Sequence, residues 1–285
     1  MVIIEKNMSN DDKSCKVLQQ TGEYVTETGV FDDGSAVHLC LSSQLGCTIG
    51  CKMCYNGVNR NYHGNLTAKD IFLQAENIVK DFSLTEKYDV IYFSFMGVGE
   101  PLLNYENVMG AIRMLDQAYP GSGFALATTL PQKDRINDLI RDFFSIENFK
   151  LTISLHAATD EKRKELIPTH TSLQDLRDAM ELYKQLGGHK CEWNYVLLKG
   201  FNDSDDDFID LLSFLNPNDR VKVSSYNPIV GCSFEKSDRT EVLLSLLKKH
   251  EIHCSKFESV GDSIGVGCGQ MAAKQYKLTS GGSIE

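Results

Sequence analysis

From Thr67 onward the chain alternates short apolar runs with amphipathic stripes of helical period, and that alternation limits the fold more than any other feature. Thr67–Phe82 carries a helix start signal and apolar residues at Ile71, Phe72, Ala75, Ile78 and Val79. The strands expected after it are Tyr88–Met96, Gly123–Thr129, Lys150–His156, Cys191–Leu198, Arg220–Tyr226 and Cys254–Ser259. Between them fall the helices Tyr105–Ala118, Lys133–Phe144, the pair Asp160–Leu166 and Ser172–Leu186, Asp205–Leu215, and Thr240–His250. Such units, joined by right-handed crossovers, wind into a parallel sheet. The class is therefore α/β, with five well-marked repeats and the strand before them making an open (β/α)6 partial TIM-type barrel. Barrels of this kind place chemistry at the C-terminal ends of their strands.

Upstream, Glu23–Thr28 and Ala36–Leu41 read as short strands joined by a turn at Asp32-Asp33-Gly34. Residues 1–20 are polar and aperiodic, the pattern of a frayed or loosely attached lead-in. The expected organisation is an N-terminal extension with short strands over 1–31, a barrel domain over 32–275, and a disordered tail over 276–285. Hydrophobic residues at 42% and charged residues at 24% suit a soluble globular protein. No apolar run approaches the roughly 18 residues that span a bilayer. The N-terminal Met-Val-Ile-Ile-Glu-Lys lacks signal-peptide architecture, so a cytoplasmic, membrane-independent monomer is expected. Basic residues number 29 against 39 acidic, a net charge of −10 that argues against a generally cationic nucleic-acid binder but leaves room for a local basic patch.

Nine cysteines in a reducing compartment point to metal or catalytic roles before disulfides. Cys47, Cys51 and Cys54 are spaced four and then three residues apart, so one loop can wrap one metal centre. Three thiolates are one too few for a closed zinc site or a fully ligated four-iron cluster. A [4Fe-4S] cluster held this way keeps one iron open, able to chelate the amino and carboxylate groups of S-adenosylmethionine. The alternatives are a zinc loop completed by a distant ligand, or three ordinary buried thiols. Cys15, Cys191, Cys232 and Cys254 have no motif around them and read as small packed residues.

The strand ends carry the other suggestive groups. Gly97-Val-Gly99-Glu100-Pro101 offers glycines that let backbone approach a ligand and a carboxylate suited to a methionine α-amino group. A plain glycine-rich turn is the competing reading. Ser154-Leu155-His156-Ala157 puts a hydroxyl and an imidazole at the rim, and Asn227-Pro228 an amide suited to adenine or ribose. After the last strand, Gly261-Asp-Ser-Ile-Gly-Val-Gly-Cys268-Gly-Gln270 presents one thiol framed by glycines, which suits a reactive nucleophile.

With these residues in hand, the chain resembles the RlmN/Cfr family of radical S-adenosylmethionine RNA methyltransferases, from about Glu23 to Ala273. The resemblance rests on Leu39-Cys40-Leu-Ser-Ser-Gln-Leu-Gly-Cys47, Gly99-Glu100-Pro-Leu-Leu-Asn104 and Ile153-Ser-Leu-His156-Ala157. It continues through Tyr195-Val-Leu-Leu, Asn202-Asp203, Tyr226-Asn227-Pro228 and Cys268-Gly-Gln270. It implies methylation of an adenine carbon, C2 or C8, in ribosomal or transfer RNA. It also implies a [4Fe-4S] cluster on Cys47, Cys51 and Cys54, and S-adenosylmethionine against Gly99, Glu100, Ser154, Leu155, His156 and Asn227. Cys268 then accepts a methyl group, Cys40 resolves the adduct, and Glu27, thirteen residues before Cys40, stands where the family places a general base. One S-adenosylmethionine methylates Cys268. A second, cleaved at the cluster, yields the radical that activates that methyl group for addition to the base. A small electron donor such as flavodoxin or ferredoxin is implied as partner.

Three departures accompany the resemblance. The chain is a short form without the accessory N-terminal domain of family members, Ala127 stands where a serine is expected, with Thr128 and Thr129 beside it, and the balance is acidic. A free nucleotide or another small substrate, a radical reaction without methyl transfer, and a non-catalytic metal-binding protein are the alternatives. For an RNA substrate the candidate basic contacts are Lys52, Arg60, Lys199 and Lys274.

Overall fold

The computed structural model describes residues 1–60, 62–143, 146, 148–187, 190–258, 260–267 and 269–271. Its strands and helices follow one another as β1 (Val2–Met8), β2 (Ser14–Thr21), β3 (Tyr24–Asp32), β4 (Val37–Cys40) and β5 (Gln44–Gly46). Next come α1 (Tyr55–Asn59), β6 (Tyr62–Asn65), α2 (Ala68–Asp81), α3 (Leu84–Lys87), β7 (Ile91–Phe95) and α4 (Tyr105–Ala118). The remainder is β8 (Gly123–Thr128), α5 (Arg135–Phe143), β9 (Phe149–Ser154), α6 (Asp160–Leu166), α7 (Leu173–Gln185), β10 (Cys191–Leu197), α8 (Asp205–Phe214), β11 (Arg220–Ser225), α9 (Thr240–Lys249) and β12 (His253–Phe257).

One ten-stranded sheet runs in the order β1-β2-β3-β4-β7-β8-β9-β10-β11-β12, with β1 and β12 at its two edges. Pairing is antiparallel from β1 to β4 and parallel from β4 to β12. The strand β4 and the five repeats that begin at β7, β8, β9, β10 and β11 are the six units expected, and β12 ends the row. Helix α2 starts where the sequence signals it. The Thr67 hydroxyl accepts from the Asp70 N–H while the Asp70 carboxylate accepts from the Thr67 N–H.

Side chains alternate across the parallel strands. Leu126, Leu151, Ile153, Trp193, Tyr195, Val221 and Val223 are buried in the main core. The opposite face carries Ala125, Ala127, Thr152, Ser154, Asn194 and Ser224, which the strand register sets side by side. Small and polar residues there leave room inside the curved sheet, which a uniformly branched-aliphatic parallel sheet would fill.

The expectation for residues 1–20 is corrected. They form β1 and β2, and Cys15, Val17, Leu18 and Gln19 are buried. Their polarity hides a strand because the buried polar groups are satisfied across the sheet. Gln19 donates to the Gln74 carbonyl (2.9 Å) and accepts from Asn77 (2.9 Å). Gln74 in turn accepts from the Thr28 hydroxyl (3.2 Å) and the Ser42 N–H (3.1 Å). The β1–β2 turn also reaches the far end of the chain, where the Gly261 N–H donates to Asp12 (2.8 Å). Val17→Asp would bury an unpaired charge in β2 and is expected to cost more than about 3 kcal/mol. Chemical denaturation measures it; a loose lead-in would lose no more than about 0.5 kcal/mol.

Candidate active site

The loop after β4 is shaped by what lies on either side of it. Leu41 donates its N–H to the Ser94 carbonyl (2.8 Å), and Gly97 returns one to the Leu41 carbonyl (3.0 Å). A Cβ on Gly97 would stand 2.7 Å from the Leu41 carbonyl oxygen, and one on Gly99 2.7 Å from Gln44 and Ser43. Gly99 also needs its left-handed φ of +108°. The glycines of Gly97-Val-Gly99 are therefore required by close packing on the chain's own Leu41–Gln44.

Further on, Cys54 caps α1 and the helix folds back over the loop so tightly that a Cβ on Gly57 would stand 2.1 Å from the Cys51 carbonyl oxygen. Leu166 and Ile167, at the end of α6, pack on Ile49, Cys51 and Met53. The Lys52 N–H donates to the Leu166 carbonyl (2.9 Å). Burial, with Cys54 and Glu100 nearby, pushes the Cys47 thiol up to about 12. Burial, then Cys54 and Cys47, raises the Cys51 thiol well above its ordinary value. Cys47, Cys51 and Cys54 are half-buried, and the thiols of Cys47 and Cys51 stay protonated until a metal replaces the protons. Among the described residues no three Cys, His, Asp or Glu side chains converge as a metal site, and it is by donor chemistry and spacing that the three thiols suit an iron–sulfur cluster with one iron left open.

Glu100 is buried, and both carboxylate oxygens are already engaged. One accepts from the Thr128 hydroxyl (2.6 Å) and the Leu102 N–H (3.1 Å), the other from the Thr129 N–H and hydroxyl (both 2.9 Å). Burial raises its pKa against these four donors. Sequence reasoning gave Glu100 to a ligand amine, but its four lone-pair positions are filled. An ammonium here must displace a donor or meet neighbouring carbonyls. Thr128 and Thr129, beside Ala127, are the anchors of Glu100.

His156 is buried with a left-handed φ of +60°. Asn202 holds that strained turn, donating to the His156 carbonyl (2.7 Å) and the Val196 carbonyl (2.7 Å) while accepting from the Leu198 N–H (2.7 Å). The His156 Nδ1 accepts from the Val196 N–H (3.0 Å), and burial with Arg163 and Lys222 nearby drives its pKa down to about 3. The ring is neutral at physiological pH, with Nε2 carrying the proton. Leu155 is buried, and the Ser154 carbonyl accepts from Arg163 (3.1 Å).

Cys40 ends β4 and lies directly across from Gly29 on β3. Glu27, two residues before Gly29, therefore sits on the same face as Cys40, and it is buried. Cys268 lies outside the described residues, but its flanks are placed. Val266 and Met271 form an apolar cluster with Val98, against which Cys40, Phe31 and Ile264 pack. The Gly269 carbonyl accepts from the Tyr55 N–H (2.9 Å), and the Met271 carbonyl from Asn56 (2.8 Å). A Cβ on Gly267 would stand 2.7 Å from the Asn227 amide nitrogen. The segment thus meets the end of the cysteine loop and Asn227, and shares with Val98 the apolar cluster on which Cys40 packs.

Beside the cysteine loop a cleft of about 980 Å³ is lined by Cys47, Lys52, Arg60, Tyr62, Lys164 and Phe234, among others. Lys52 and Arg60 were expected at a basic patch; Lys164, Tyr62 and Phe234 were not. Lys199 lies apart from this lining and pairs with Glu235 (3.3 Å). Lys274 falls outside the described residues. The tail 276–285 and the expected Ser259 strand end do so too. Among the described residues no helix is long and apolar enough to cross a membrane.

Comparison with known proteins agrees with this geometry. The radical SAM superfamily model matches residues 41–212, more than half of the chain. A probable dual-specificity RNA methyltransferase RlmN from Trichormus variabilis is 30% identical over 95% of this chain and 76% of its own length. One from Chlorobium phaeobacteroides is 32% identical over 98% of this chain and 78% of its own. A radical SAM methyltransferase structure from Sphaerobacter thermophilus superposes with a TM-score of 0.87 at 26% identity, covering 95% of this chain and 80% of that one. Streptococcus suis SuiB bound to S-adenosylmethionine, at 17% identity and TM-score 0.53 over 76% of this chain and 46% of its own, shares the fold. Superfamily members work with a [4Fe-4S] cluster and S-adenosylmethionine, the pair this cysteine loop and these strand ends suit. The chain belongs to the radical SAM superfamily and, within it, to the RlmN family of RNA methyltransferases.

Proposed function

We propose that this protein methylates an adenine carbon of RNA, C2 or C8, and that the methyl group travels by way of Cys268. The observation that carries the reading is the docking of the segment around that residue. Its flanks lean on the end of the cysteine loop through Gly269 and Met271, and Val266 and Met271 share with Val98 the apolar cluster on which Cys40 packs. A methyl-carrying thiol and the thiol that resolves it need that neighbourhood. The site holds at once a centre that activates a methyl group and two thiols that pass it on.

In this reading Cys47, Cys51 and Cys54 hold the cluster, which when bound supplies the electron that turns S-adenosylmethionine into a hydrogen-atom abstractor. Gly99, Glu100, Ser154, Leu155, His156 and Asn227 surround that nucleotide. Glu100 acts there through its loop, since Thr128 and Thr129 occupy its oxygens. His156, neutral and with its Nδ1 taken, offers a single N–H. Glu27, on the Cys40 face of β3, takes a proton from the substrate adduct. The Cys40 thiolate then attacks the Cys268 sulfur, so that an S–S bond forms as the carbon–sulfur bond to the methylated base breaks.

Incubating the reconstituted protein anaerobically with methyl-labelled S-adenosylmethionine and either total RNA or free nucleotides tests this. Label in adenine of RNA is expected; label only in free nucleotides, or in neither, overturns it. Binding to RNA should weaken steeply with salt, and charge reversal at Lys52, Arg60 and Lys164 should flatten that dependence by about 0.7 of a log–log slope per lost single-strand phosphate contact. Unchanged slopes would remove the cleft from the RNA path. The reductant in the cell is a flavodoxin- or ferredoxin-type protein, and the enzyme works as a cytoplasmic monomer; donor-coupled turnover and solution mass measure these.

A further inference from the structure

Arg163 sits in the most polar stretch of the chain, Asp160-Glu-Lys-Arg163-Lys-Glu-Leu166, yet it is only 2% exposed. Its guanidinium reaches the ends of two strands. Nη2 donates to the Thr129 carbonyl (2.9 Å) and the Ser154 carbonyl (3.1 Å), and Nη1 to the Thr171 carbonyl (3.2 Å) and the Thr169 hydroxyl (3.3 Å). All four acceptors are neutral. The Nε–H is buried without a partner, and no acidic side chain among the described residues pairs with the group.

A guanidinium out of water whose hydrogen bonds all go to neutral oxygens has no anion in contact with it; Asp160 and Glu100 act on it without forming an ion pair, and a contacting anion is what makes such burial tolerable. The other cations nearby are provided for. Lys52 reaches outward to Glu165 (3.1 Å) with both side chains about half exposed, and the partly buried Lys222 pairs with Glu192 (3.5 Å). Helix α6, which carries Arg163, ends against the cysteine loop: Leu166 and Ile167 belong to the apolar cluster on which Cys51 packs, the Leu166 carbonyl accepts from the Lys52 N–H (2.9 Å), and Cys51 acts on the guanidinium more strongly than Asp160 or Glu100. Three thiolates on a four-iron core make an anion, and one-electron reduction makes it more negative. We infer that Arg163 is the built-in counter-charge of the cluster, a positioning residue that holds the reduced state within reach of a biological donor.

The inference rests on Cys51 being a cluster ligand, which iron content and the four-iron absorption spectrum test separately. The deciding experiment is a potentiometric titration of the reconstituted protein, followed by electron paramagnetic resonance without S-adenosylmethionine. Arg163→Gln is expected to lower the midpoint so that reduction at a fixed poise becomes about tenfold less favourable, about 59 mV for one electron. Arg163→Lys keeps the charge and should stay within about threefold of wild type. Thr169→Val removes one hydrogen bond without touching the charge and should leave the midpoint in place. A glutamine variant with full iron content and the wild-type midpoint overturns the inference, as does a lysine or Thr169 variant displaced as far as the glutamine one. Should Arg163→Gln take up no cluster, urea unfolding of the apoproteins decides. An uncompensated guanidinium leaves apo Arg163→Gln at least as stable as apo wild type; a clear loss of apo stability means that Arg163 only staples carbonyls, and overturns the inference.

Discussion

Cys51→Ala protein, purified and reconstituted without oxygen, is expected to be colourless, with iron far below the roughly four atoms per chain that a full cluster requires. The loop offers no substitute ligand at that position. Cys51 packs on the apolar cluster that includes Leu166 and Ile167, and its backbone lies close against Gly57, so a neighbouring sulfur cannot slide into its place. With two thiolates left, cleavage of S-adenosylmethionine should fall to background, and Cys47→Ala and Cys54→Ala should behave alike. Cys15→Ala is the control. Cys15 is buried in the apolar core under β2, so its loss trims packing and lowers stability while leaving the brown colour and the iron content intact. Stoichiometric zinc and no visible absorption in anaerobic wild-type protein would sink the cluster reading.

What the sequence made legible and what it hid divide along a physical line. A helix start at Thr67 and strand-then-helix alternation are local, and each survives as read. Partners distant in the chain are not local. Nothing around Glu100 announces that Thr128 and Thr129 will fill its oxygens, because that depends on β7 and β8 ending side by side. Arg163 looks like one more charge on a solvated helix, and only the docking of α6 beneath two strand ends buries it. Asn202 enters from the sequence only as part of a motif, and it is the fold that sets its amide under the strained backbone of His156. The lead-in reads as loose because its buried positions include Gln19, whose cost is met by Gln74 and Asn77 on α2. Polar residues satisfied across tertiary contacts defeat pattern reading, since the pattern records polarity and not partners.

Cys40→Ala is expected to stop turnover at a protein–substrate adduct. The proposed chemistry joins the Cys268 methylene carbon to the base, and only attack on the Cys268 sulfur by a second thiolate releases it. Cys40 suits that part by position. It closes β4 at the strand's C-terminal end and packs against the cluster of Val98, Val266 and Met271, which brackets Cys268 in sequence. Opposite it stands Gly29, where the Phe31 ring occupies the place of a side chain. Loss of the thiol should therefore spare methylation of Cys268 and cleavage of S-adenosylmethionine, while multiple turnover drops by at least about a thousandfold, the order expected when a covalent step loses its nucleophile. Mass spectrometry should find the chain heavier by the bound nucleotide or RNA fragment. Cys268→Ala should give no such species, because no methyl group is there to activate. A packing role alone would cost Cys40→Ala about 1 kcal/mol of stability and leave product release intact. Ordinary release by that variant would refute the resolving role and with it the passage of the methyl group through Cys268.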